Sequence, residues 1–280
     1  MSLHPAVPPA AAADEVGSPT VVCAFAVTRT PPPDHALVSA TGHEEGGPLR
    51  VLRAGNLCLI VQDVPAALFD SAALTERLNR PDDLERCARA HHRGVEAVFR
   101  AGPVVPLPMA SLYRDDHSAA RAVTAREAAL AALLDRLGGR TEWAVKVHAV
   151  EADAPADDSN GTGTGTGTGT GGRAYLSRAS ARRRARQDAH GKALAEAEAV
   201  DAELRRHAVA ATRHRPQSEQ LTGRRTPQLL NAAYLVDDTE RPAFAAALER
   251  VGADGRHTTV EIHVSGPWIP YSFARLEDGS

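Results

Sequence analysis

Gly167, Gly169 and Gly172 have the spacing of a GxGxxG phosphate loop. A working dinucleotide loop is short, follows a strand directly and opens a helix of a parallel βαβ unit. These glycines sit in a Gly-Thr dipeptide repeat, which generates the pattern by composition alone and has no reason to hold one backbone. His91 and His92 are the next candidates. A metal would need a second histidine four residues on and a third ligand, and only Glu96 follows, one turn beyond His92. Both histidines read as helix-face residues that pack or hydrogen-bond locally. Arg178, Arg182, Arg183, Arg184 and Arg186 form a basic cluster at the start of a long helical segment. Such a cluster suits a phosphate backbone or an acidic partner. Glu196, Glu198, Asp201 and Glu203 balance it further on, which favours a solvated face with partner docking as the remaining role. Positive charge near a helix N-terminus opposes the macrodipole, so the cluster does not serve local stability. The chain carries no GxSxG elbow, no Walker-type phosphate loop and no HExxH. No residue stands out as nucleophile or base, and neither an enzyme nor a cofactor or metal site is expected.

The most informative stretch is Gly266-Pro267-Trp268-Ile269-Pro270-Tyr271-Ser272-Phe273. In a chain with only two Trp, four Tyr and five Phe, it holds three aromatics within six residues. Two prolines reduce the entropy lost on ordering it. Each aromatic can bury ~150–250 Å², so at ~25 cal/mol/Å² the cluster carries on the order of 10 kcal/mol gross. That is enough to clamp the tail onto its own sheet or to anchor a partner. Trp268, Tyr271 and Phe273, together with Arg182, Arg183 and Arg186, are the candidate partner-binding residues.

The elements that must position these groups follow from periodicity. Val21 to Val27 is an almost unbroken apolar run, as in a strand covered on both faces. A short strand near Ala36–Ala40 is expected next. Leu49–Arg53, Ala54-Gly55-Asn56 and Leu57–Val61 read as a hairpin. A helix starts at Pro81 with a stripe of Leu84, Ala88, His91, Val95 and Val98, and Gly102-Pro103 stops it. Val104 to Leu107 is a short strand. Ser118 caps a further helix with Val123, Leu130, Leu133, Leu134 and Leu137 on its apolar face. Thr141 to Val150 alternates, with Glu142, Lys146 and His148 on what should be a wet face. A helix over Arg173–Ala211, with Asp201 and Arg205 as an i,i+4 pair, turns into a strand within His207–Arg215 and, after a polar loop, is followed by a strand at 229–236, a short helix at 244–251 and a half-wet strand at 258–264. The second half thus orders strand, helix, strand, strand, helix, strand, the ferredoxin-like split βαβ order. The expected fold class is α+β in two domains: an N-terminal mixed sheet with helices over 20–139 and a ferredoxin-like domain with a long helix over 140–274. Residues 153–172 form a flexible Gly-Thr insertion, and residues 1–19, rich in Pro and Ala, a disordered tail.

Composition narrows the function classes. The chain has 280 residues, 32 basic against 35 acidic, and a net charge of -3. That balance argues against nucleic acid and against a polybasic membrane surface. No apolar run approaches the ~20 residues of a membrane span, and the N-terminus lacks a signal-peptide pattern. Cys23, Cys58 and Cys87 are too dispersed for a zinc site or a disulfide framework and read as small buried hydrophobes of a reducing compartment. A soluble cytoplasmic protein is expected.

The tail closely resembles the GPWPPYSF-like ending of the gas vesicle GvpL/GvpF family, with Ile269 in place of the usual proline. Gly55 to Gln62, His91 to Asp116, Thr141 to Val147, Arg173 to Leu176 and Asn231 to Val236 resemble further blocks of that family in the same order. The likeness spans Val21 to Phe273. One departure is clear: the family's Arg-Phe/Leu-Gly after Pro-Leu is here Pro108, Met109 and Ala110. The resemblance implies two α+β domains with a ferredoxin-like second domain and no catalytic residues. It implies a minor gas vesicle component that takes part in assembly by binding the GvpA-type shell protein and other Gvp proteins. A competing reading, resting on fold analogy alone, is a ferredoxin-like small-ligand-binding or catalytic module of unknown substrate.

Overall fold

The apolar run at the start becomes strand β1 (Thr20–Thr28), buried from Val22 onward. It pairs antiparallel with β3 (Leu57–Pro65), which pairs with β2 (Arg50–Ala54) across the two-residue turn Gly55-Asn56. The computed structural model describes residues 19–38, 40–150, 171–216, 226–255 and 257–276. The expected N-terminal tail, apart from Pro19, and nearly all of the Gly-Thr insertion with Gly167 and Gly169 lie outside the described residues. Chain contacts divide the molecule into two compact units, Met1–Gly102 with Leu107–Ala128 and Pro103–Pro106 with Ala129–Ser280.

The N-terminal sheet has the order β2-β3-β1-β4, with β4 running from Val104 to Tyr113. It is antiparallel where a mixed sheet was expected. Unbroken burial along β1 comes from cover on both faces, and strand direction does not enter. The expected strand near Ala36 is instead a short helix, α1 (Asp34–Val38), since a brief apolar run does not distinguish the two states. Two helices absent from the periodicity argument follow β3: α2 (Ala66–Phe69) and α3 (Ser71–Leu78), the latter capped by the Asp70 carboxylate on the Ala73 amide. Helix α4 (Pro81–Phe99) begins at the proposed proline, but Leu84 and Ala88 are exposed. Its buried face is Asp83, Cys87, Ala90, His91, Gly94, Val95 and Val98. Gly94 explains that face. A Cβ there would lie 2.5 Å from the Phe25 ring, so α4 seats its glycine, and not its leucine, on β1.

Ser118 is not the cap of the next helix. Asp115 caps α5 (Asp116–Thr124), and Ser118 reciprocates as the third residue of a capping box. The expected single helix breaks at Ala125-Arg126, and α6 (Glu127–Leu137) buries the predicted leucines. Arg50 bridges the carboxylates of Asp63 and Asp116, at 2.7 and 2.6 Å, and so ties α5 to β2. All three cysteines are buried and unpaired. Burial, with Cys87 nearby, pushes the Cys23 thiol up to about 12.

The core of this unit holds a run of rings. His91 stacks on Phe25 at 5.2 Å, Phe25 meets His43 at 5.7 Å, and His43 meets Phe69 edge-on at 4.8 Å. His91 Nε2 reaches Leu107 O at 3.0 Å, a contact sixteen residues away and not the local one expected. Gln62 fixes the loop that carries His43: it accepts from the His43 amide and donates to the His43 and Gly47 carbonyls.

In the C-terminal unit, β5 (Arg140–Ala149), β6 (Ala210–Arg213), β7 (Gln228–Asp237) and β8 (Val260–Trp268) form an antiparallel sheet of order β6-β7-β5-β8. Helices α7 (Gly171–Arg205) and α8 (Arg241–Ala253) connect β5 to β6 and β7 to β8. Val145, Val147, Val200, Leu204, Tyr234 and Phe244 form the centre of the core between sheet and helices. Among the described side chains of α7, those that contribute lie in its second half, Ala193, Ala197, Val200 and Leu204. Asp201, expected as half of a surface pair with Arg205, is buried and also takes the Tyr234 hydroxyl and Arg213. Burial pushes its carboxyl up, but these donors outweigh that and hold it below the usual carboxylate range. The opposite face of β5 is not wet. Glu142 and His148 are buried, as are Ala233 and Leu235 on β7.

Two consequences are measurable. Burial, and beside it His91, Arg77 and Arg93, lowers His43 from 6.5 to about 4, with Glu45 opposing. A folded value below the unfolded one means that the unfolded chain binds more protons between those limits, so stability is full above pH 6.5 and declines as pH falls toward 4. The exchange protection of the β1 and β3 amides, corrected for intrinsic rate, should therefore drop by on the order of 3 kcal/mol across that window; a flat profile would contradict the assignment. Ala110 has φ +73°, where a Cβ is strained. Ala110→Gly should raise stability by roughly 1 kcal/mol in denaturant titration.

Candidate functional site

Trp268 closes β8 opposite Glu142, just after a bulge that places one extra residue on β8 between Ser265 and Trp268. Gly266 makes that approach possible. Its φ is +139°, and a Cβ would lie 2.9 Å from the Glu142 carbonyl oxygen. The Gly266–Pro267 peptide is cis. After Trp268 the chain leaves the edge of the sheet, and Tyr271–Phe273 form one 3₁₀ turn.

That turn is held by a buried carboxylate. The Ser272 amide donates to Glu142 Oε2 at 2.8 Å, and the Ser272 hydroxyl donates to Oε1 at 2.7 Å. Burial pushes the Glu142 carboxyl up, while the two Ser272 donors and the nearby His214 pull it back. Ile269, Pro270 and Phe273 are buried beside this anchor. Trp268 stays 47% exposed and Tyr271 36% exposed, with Trp268 Nε1 donating to Ser265 Oγ at 3.2 Å. The tail therefore divides the three candidate aromatics. Phe273 belongs to the fold, and Trp268 and Tyr271 face solvent.

His214 Nε2 lies 3.2 Å from Ser272 Oγ, which completes a serine, histidine and glutamate set. Its wiring differs from a hydrolytic triad, where imidazole sits between carboxylate and hydroxyl and takes the hydroxyl proton. Here the hydroxyl sits in the middle with its proton directed at the carboxylate, and His214 can only add a donor to the same oxygen. The set fastens a turn and does not activate a nucleophile. Nothing in the sequence marked Glu142, His214 and Ser272 as a group: they are far apart along the chain, and Glu142 had the parity of a wet-face residue.

Arg182, Arg183 and Arg186 lie on a separate element, the first half of α7, where Arg184 and every neighbouring described side chain up to Lys192 are also exposed. Among the described residues, no group of three or more His, Cys, Asp or Glu is placed to hold a metal ion. No helix is long and apolar enough to cross a membrane among them.

The division of the tail can be tested by substitution. Phe273→Ala should cost about 3 kcal/mol in chemical denaturation, whereas Trp268→Ala should stay within about 0.5 kcal/mol of the parent chain. Equal losses would show that the two rings are not divided between core and surface.

Comparison with known proteins agrees with this architecture. Residues 22–275 match the sequence model of the family described as gas vesicle synthesis protein GvpL/GvpF. The chain is 35% identical over 255 residues to gas vesicle protein L of Streptomyces sp. (strain CB03234), covering 91% of this chain and 92% of that protein. The crystal structure of GvpF from Anabaena sp. PCC7120 superposes with a TM-score of 0.62 at 14% identity, over 93% of this chain and 98% of that one. GvpF from Microcystis aeruginosa gives 0.58 at 18% identity, over 91% and 99%. At such identities these two structures speak for the fold alone, whereas the sequence match along the chain decides its kinship: it belongs to the GvpL/GvpF family of gas vesicle proteins.

Proposed function

We propose that this chain serves gas vesicle assembly as a non-catalytic accessory protein, by holding the small GvpA-type shell protein and other Gvp proteins on its surface. The observation that carries the reading is that the family match runs through the tail to residue 275, and that this tail keeps Trp268 and Tyr271 in solvent while burying its neighbours. A tail needed only for its own fold would bury all three rings, since each exposed aromatic forgoes apolar burial. A rigid turn that presents two aromatics is the form of an interface anchor. Arg182, Arg183 and Arg186, exposed on α7, supply a second contact of opposite character for an acidic surface. Shell subunits that polymerise through apolar surface aggregate when left free, and an accessory protein that covers such surface keeps them available. The place of action on this reading is the growing gas vesicle.

The order β5-α7-β6-β7-α8-β8, with β7 between β6 and β5, supports reading the C-terminal unit as ferredoxin-like. Small-ligand binding or catalysis on that scaffold has the strand order as its sole support.

Co-expression of the full chain with a GvpA-type shell protein should yield a complex on affinity purification. The double substitution Trp268→Ala with Tyr271→Ala should cut recovery roughly tenfold or more, the size of an interface hot spot, with an unchanged unfolding curve. Failure to co-purify with any Gvp protein would sink the proposal.

A further inference from the structure

The buried guanidinium of Arg77 is incompletely paired. Arg77 on α3 is 7% exposed, and its Cζ lies 4.8 Å above the Phe69 ring. Nη2 donates to Glu45 Oε1 at 2.7 Å, whereas Nη1 is shut off from water and meets no acceptor. Buried donors are nearly always satisfied, and one left over a charged group is costly. A guanidinium fork matches the two oxygens of a single carboxylate, and Glu45 engages only one of its terminal nitrogens.

Arg77 lines a groove of about 240 Å³ between α3, α4 and the loop that carries His43. The groove's other cations are Arg86, Arg89 and Arg93, against the carboxylates of Glu44 and Glu45. Arg86 pairs with Asp83, and Arg89 with Glu85 at 2.6 Å. Arg93 Nε and Nη2 reach the Thr41 and Gly42 carbonyls at 3.4 and 3.5 Å, the long limit of a hydrogen bond. The Glu45 side chain is 37% exposed, so its pair with Arg77 is open to competition from solution.

We propose that this groove receives a carboxylate from an acidic side chain of a partner protein, which displaces Glu45 and engages both terminal nitrogens of Arg77. The volume is smaller than the ~300–1,000 Å³ of an ordinary small-molecule pocket and suits a single side chain. With Arg86 and Arg89 already paired, the cations left to draw a carboxylate are Arg77, held by one oxygen of Glu45, and Arg93, held by two long bonds to carbonyls. Glu45 then acts as an internal competitor that keeps the groove closed to weak anions. This proposal rests on the partner-holding function given above and names the chemistry of one contact.

The test uses the full chain at constant ionic strength, with an acetylated and amidated Glu-containing peptide and, separately, inorganic phosphate, read by arginine side-chain NMR. The peptide should shift the Arg77 resonances. Glu45→Gln should tighten its binding roughly tenfold, equivalent to removing a weak ion-pair competitor. Arg77→Lys, which keeps the charge and loses the fork, should abolish the gain. If Arg77→Lys does not fold, the comparison of Glu45→Gln with the parent chain decides alone. No peptide response in either protein overturns the proposal, and a response to phosphate without one to peptide overturns the assignment to a side chain. Loss of this groove would leave co-purification with the shell protein through the tail intact, so the two readings fail separately.

Discussion

A polar group taken out of water has to meet partners inside the protein, and three such groups organise this chain. Gln62 uses its amide on both sides to fix the loop over the N-terminal sheet. Asp201 gathers Tyr234, Arg205 and Arg213, which joins α7 to β7 and β6. Glu142 takes both donors of Ser272 and so fixes the 3₁₀ turn Tyr271–Phe273. Apolar burial supplies the bulk of the driving force, but it is non-directional. These hydrogen bonds select one arrangement among several that would bury similar area.

The tail shows how that selection reaches function. Once Ser272 is bound to Glu142 and Phe273 and Ile269 are buried, the orientation of the intervening residues is settled. Trp268 and Tyr271 are then displayed on a backbone already ordered, so little entropy would remain to be lost on the proposed contact with a partner. In the N-terminal unit Phe69 supports the Arg77 guanidinium from beneath, and Nη1 of that fork has no acceptor among the described residues.

Legibility from sequence followed the range of the interactions. Strands with long apolar or alternating runs, such as β1, β5 and β7, were readable as strands because the pattern that marks a strand is local. So was the start of α4 at Pro81, which depends on local backbone preference. The failures lie where a distant residue decides. The buried face of α4 turns on Gly94 meeting Phe25, sixty-nine residues earlier in the chain, and a hydrophobic-stripe argument gives glycine no weight. The wet face assigned to Glu142 and His148 overlooked that a sheet can be covered on its second side. The short helices α2 and α3 are too brief to establish a period. The aromatic tail stood out by composition, yet the division between buried Phe273 and exposed Trp268 depends on Glu142 and could not be read from the tail itself.

Helix α7 changes character along its length. From Ala193 on it is seated on the sheet, whereas the described side chains before it are exposed all round. A helix of ~12–15 residues or fewer is marginal in water on its own because nucleation is costly. Here the seated half is the nucleus, and the outer half only has to propagate from it. Gly191 sits close to that junction with open space around it and weakens propagation by about 1 kcal/mol relative to alanine. The outer half therefore has only propagation from the seated half to hold it, and heating should remove its helical turns before it disturbs the sheet.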